Sequence, residues 1–165
     1  MPQLHTPPRW PLLALRITAA LVALLALVLP ILAGGFLQGY YPLLDAHMQA
    51  GLTIAVVALL ATAAGLTAWK VSGAPNRHAV RYGVLSALCI IQLTLGFQRV
   101  LLLHVPLGVG IFVMAEKFAV DAFALKPAGP TAEPDPTEPP AADPDPTEPP
   151  AAEPKAAEAD AAVAE

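Results

Sequence analysis

Four stretches of about twenty apolar residues, parted by short polar breaks, occupy the chain from residue 17 to residue 125. They cover residues 17–36, 48–69, 82–98 and 103–125. Each is long enough, at about 1.5 Å per helical residue, to cross or nearly cross about 30 Å of hydrocarbon. The second is uncharged and unbroken. The third is slightly short. The fourth carries Glu116, Lys117 and Asp121 in its second half, where they snorkel to the interface or face the bundle interior. The pattern predicts an all-α fold: a four-helix transmembrane bundle over residues 12–126, with a cytoplasmic segment over residues 1–11. Arg9 and Arg16 ahead of the first stretch imitate a signal peptide. The apolar run is too long for one, so it reads as a retained span.

Charge divides the chain a second way. Up to Lys126 there are eight Lys/Arg and three acids; beyond it there are one Lys and ten acids. Residues 127–165 contain no Leu, Ile, Phe, Tyr or Trp, and AEPDPTEPPA at 132–141 returns as ADPDPTEPPA at 142–151. Such a Pro-rich acidic repeat cannot bury enough apolar area to offset ordering entropy, so a disordered tail is expected. It serves either as a solvated spacer or as a ligand for a cytoplasmic protein.

The basic residues set an expected orientation. Arg9 and Arg16, then Lys70, Arg77 and Arg81, then Lys117 and Lys126 cluster at one set of span ends. The loop GGFLQGYYPLLDAH has no Lys or Arg, and the last turn has only Arg99. Positive residues stay inside, so the expectation is a multi-pass inner-membrane protein with both termini cytoplasmic. The same residues read as topology determinants, not as a nucleic-acid footprint. The lone Cys89 lies in an apolar run, where it acts as a small hydrophobe.

His5 and His78 lie in polar contexts. His47 and His104 open the second and fourth spans. Gly follows each four residues later, at Gly51 and Gly108, and a Leu pair and a Gly–Phe step precede each. The sequence thus reads as one two-helix unit used twice. Parallel repeats bring His47 and His104 to the same side at similar depth. Each Gly lies on its His face one turn deeper, and Ala55, Ala58, Thr62 and Gly65 continue the stripe below His47. Two imidazoles across a bundle can hold a haem iron, with the stripe as clearance and Arg99 as a cation for the propionates. The same small residues also let membrane helices approach closely, and an interfacial His can simply bond a carbonyl. Gln92, mid-span, is expected to bond across the bundle.

The repeated helix pair, with His in its second member, resembles one four-helix half of the haem A synthase family. It is also similar to small four-span bacterial membrane proteins with Asp-Ala-His…Gly before one span and Leu-His-x-Pro before the last. The resemblance covers residues 12–125. It implies His47 and His104 as ligands of a haem b. The catalytic half of that family carries a Glu one turn before its first His; here Leu43, Leu44 and Asp45 occupy that stretch. The resemblance is therefore to the half that holds cofactor without oxidising it.

Three functions compete. One is a bis-His haem bundle for electron transfer or haem handling, served by a redox partner. The second is a cofactor-free scaffold whose tail binds a cytoplasmic protein. The third is a transporter, for which Thr53, Thr62, Ser86, Gln92, Thr94 and Glu116 make too sparse a polar path. No catalytic motif is present.

Overall fold

A computed structural model describes residues 8–126. The acidic repeats, His5 and the expected tail lie outside the described residues. Four helices follow one another: α1 (Trp10–Leu37), α2 (Pro42–Ser72), α3 (Arg77–Phe97) and α4 (Leu101–Phe123). Each is long and apolar enough to cross a membrane. The chain is a polytopic helical membrane protein. All four helices extend beyond the apolar stretch of sequence on at least one side. Pro11 and Pro42 stand in the first turns of α1 and α2, where the missing N–H costs no hydrogen bond. Gly73, at φ +66°, closes α2. His47 and His104 consequently lie inside their helices, in the second and first turns, rather than at their starts.

The helices form a square. α1 packs on α2 and α4, and α3 packs on the same two. Along the diagonals, α1 with α3 and α2 with α4, no Cα atoms come within 8 Å. The seam repeats on every helix at spacings of three and four residues. It runs through Leu12, Leu15, Ala19, Val22 and Ala26 on α1, and Ala58, Ala61, Gly65 and Ala68 on α2. Tyr82, Leu85 and Cys89 continue it on α3, and Ile111, Ala115, Phe118 and Ala122 on α4. Small residues at these positions let the backbones close up, which in lipid replaces the missing hydrophobic drive. A Cβ on Gly65 would lie 2.9 Å from the backbone nitrogen of Ala79. Thr62 meets the Ser86 hydroxyl at 3.2 Å. The small-residue stripe of α2 is therefore filled by α3 and opens no cleft at that depth.

The two hairpins share one turn. The Tyr40 N–H donates to the Gly35 carbonyl and Gly39 N–H to Phe36; the Val100 N–H donates to Leu95 and Arg99 N–H to Gly96. The residue before each left-handed position is Gln, Gln38 and Gln98. Matching the turns shifts the repeat by one residue from the Gly–Phe alignment: Gly35 corresponds to Leu95, and Gly39 to Arg99. Gly39 has φ +99° and Arg99 φ 58°. Glycine takes this conformation freely, whereas arginine gives up about 1–2 kcal/mol to hold it.

Candidate functional site at the histidine end

The shared turn brings both histidines into the square from opposite corners. His47 comes from α2 and His104 from α4. Their ring centres are 6.3 Å apart, with planes inclined by 62°. Phe36 stands edge-on to His47 at 5.7 Å and closes one side. Both histidines are half-buried.

Each ring is oriented in the same way. His47 Nδ1 lies 3.0 Å from the Leu29 carbonyl, and His104 Nδ1 lies 3.1 Å from the Gln92 carbonyl. A carbonyl only accepts, so Nδ1 carries the proton in each neutral ring and Nε2 keeps its lone pair. Neither Nε2 has a hydrogen-bond partner among the described residues. The two acceptors are symmetric about the turns: Leu29 and His47 each lie nine residues from Gln38, and Gln92 and His104 each lie six from Gln98. His47 thus sits three residues further along its helix than His104, a rise of about 4.5 Å.

Gln92 ties the second hairpin twice. Its backbone carbonyl accepts from His104, and its side-chain Nε2 donates to the His104 carbonyl at 2.8 Å. The buried Gln92 Oε1 has no partner. Two glycines permit this closeness. A Cβ on Gly96 would stand 2.9 Å from His104 Cε1, and one on Gly108 would stand 2.8 Å from Gln92 Nε2. Gly51 is less constrained, since its Cβ would meet Leu93 Cδ2 at an ordinary 3.4 Å. Gly51 and Gly108 both turn toward α3, whose Leu93 and Gln92 cover them, rather than lining a gap between the imidazoles. Arg99 stands in the turn at the same end of the bundle, exposed and without an ion pair among the described residues.

The sequence singled out His47 and His104, and the fold brings them together. Gln92 bonds to another helix, as expected, through both its side chain and its carbonyl; the room that Gly96 gives His104 was missed. The signal for Gln92 was its position, as far before the turn as His104 lies after it. Among the described residues no three His, Cys, Asp or Glu side chains gather as a metal cluster. The donors that meet at this end, among the described residues, are the two imidazoles. No family model, curated protein or solved structure matches the chain.

Proposed function

We propose that this four-helix membrane protein binds a b-type haem between His47 and His104, as an electron-transfer or haem-handling bundle. The observation that carries the reading is the pair of neighbouring imidazoles, with ring centres 6.3 Å apart, both with Nδ1 on backbone carbonyls and neither Nε2 bonded among the described residues. Metal-bound histidine habitually donates its other ring N–H to such an acceptor. Metal–imidazole bonds of about 2 Å, on either side of one ion, separate the ring centres by roughly 6 Å; the observed separation is 6.3 Å. A structural zinc asks for four protein donors and a catalytic zinc for three. A haem iron, already held by its macrocycle, asks for two. When bound, the haem would supply a one-electron ferric–ferrous couple. His47 and His104 would hold its iron and Arg99 would be the cation for its propionates. Gly96 and Gly108 would fix the ligand rings by admitting His104 and Gln92, and Gly51 would leave the third turn of α2 without bulk.

The basic ends of the helices face the cytoplasm of an inner membrane in this reading, and the histidine pair lies toward the outer face. The support is the charge asymmetry, with Arg99 the one cation at the histidine end among the described residues. The test is a reduced-minus-oxidised spectrum of protein purified in detergent from a haem-replete host. Soret and α bands are expected, and His47→Ala with His104→Ala should abolish them. A haem-free preparation, or bands untouched by both substitutions, rejects the reading.

A further inference from the structure

The other end of the bundle holds a cavity that the histidine pair does not use. It has a volume of about 350 Å³ and lies between the first turns of α3 and the last turns of α4. Arg77, Arg81, Lys117 and Asp121 line it, with Ala124 and Leu125. Arg81 Nη1 lies 2.6 Å from the Asp121 carboxylate, which cancels one cation and fixes the wall. Arg81 also lies over the Phe118 ring, 5.5 Å from its centre. Arg77 and Lys117 remain, both exposed and neither in an ion pair among the described residues. Among the described residues the cavity therefore carries two uncompensated cations from two different helices.

Its surroundings strengthen the positive field. The Asn76 side chain makes no capping bond, so the positive end of the α3 dipole opens beside Arg77 without a side-chain acceptor. The negative end of α4 is covered, because Arg16 reaches across from α1 and donates to the Ala122 and Leu125 carbonyls at 3.4 and 2.6 Å. The helix ends place the cavity at headgroup level, since each of these helices spans the membrane.

We infer that this cavity binds the phosphate ester of an anionic phospholipid headgroup, with Arg77 and Lys117 as its cations and Arg81 held ready by Asp121. Two cations converging from neighbouring helices suit a phosphate, whose oxygens accept from several directions. Basic pockets between transmembrane helices are a recurring headgroup site. The inference is independent of haem.

The full chain, in mixed micelles with equal phosphatidylglycerol and phosphatidylcholine of the same acyl length, is analysed by native mass spectrometry. Preferential retention of phosphatidylglycerol is expected. Arg77→Gln with Lys117→Gln should lower that preference about fivefold or more. Lys70→Gln with Lys126→Gln removes the same charge outside the cavity and should leave it unchanged. A parallel phosphorus NMR titration with inorganic phosphate separates the sources. Phosphate binding lost in the Arg77/Lys117 variant, without lipid preference, keeps the phosphate chemistry but reassigns it to a soluble ester and overturns the lipid. Equal losses in both double variants, or no preference and no phosphate binding, overturn the site.

Discussion

The two ends of this bundle use their polar side chains in opposite ways. At the histidine end, both imidazoles donate to main-chain carbonyls, and what remains over is a pair of lone pairs. At the basic end, guanidiniums take up a carboxylate and two carbonyls, and what remains over is positive charge. The first remainder is what the proposed haem would use, and the second what the proposed lipid phosphate would use. The histidine pair is built where the two hairpins meet, whereas the basic cavity lies within the second hairpin, between α3 and α4. A transmembrane bundle with a seam of Ala, Leu and Gly needs few polar contacts to fold. Its polar residues are therefore informative about what each end recognises.

The comparison can be broken most severely through Gly108. A Gly108→Val side chain drives into the Gln92 amide, an overpacking cost of about 2 kcal/mol. Thermal unfolding in detergent should show that loss, together with a large fall in haem content. Unchanged stability would mean that Gln92 is free to move. Arg99→Gly acts oppositely. Relief of the left-handed conformation should stabilise the bundle by about 1 kcal/mol, while haem affinity falls because the propionate cation is gone. Stabilisation without weakened binding would remove Arg99 from the site. Gln92→Leu deletes one interhelical hydrogen bond, worth about 0.6–1.7 kcal/mol in lipid. The His104 Nδ1 bond to the backbone carbonyl survives, so the haem spectrum should keep its bands. The smallest effect is expected at the other end. Asp121→Asn leaves Arg81 unpaired, but both side chains are about a third exposed. The cost should be about 0.5 kcal/mol, while phosphatidylglycerol retention rises.

The spans and the repeated hairpin were legible because a membrane imposes length: a run of about twenty apolar residues has few other uses. The histidine pair was legible through its repeated context. The stripe of Ala55, Ala58, Thr62 and Gly65 was not decidable, since small residues serve clearance and close packing alike. The structure fills it with Ala79 and Ser86. Asp121 could be read as snorkelling because its partner Arg81 lies forty residues away on the other arm of the hairpin, and the sequence does not fix which faces of α3 and α4 meet. The role of Gly96 was hidden for a related reason. Its function is to make room for His104, and room is a property of two helices.

Arg16 has a consequence for biogenesis. It belongs to α1, yet its acceptors, the Ala122 and Leu125 carbonyls, lie at and just beyond the end of α4, which a ribosome delivers later. While α2 and α3 are being inserted, the guanidinium has only water and headgroups to satisfy it. The square closes when α4 arrives, so a chain arrested before residue 122 should display an unlatched first helix to the quality-control proteases of the membrane.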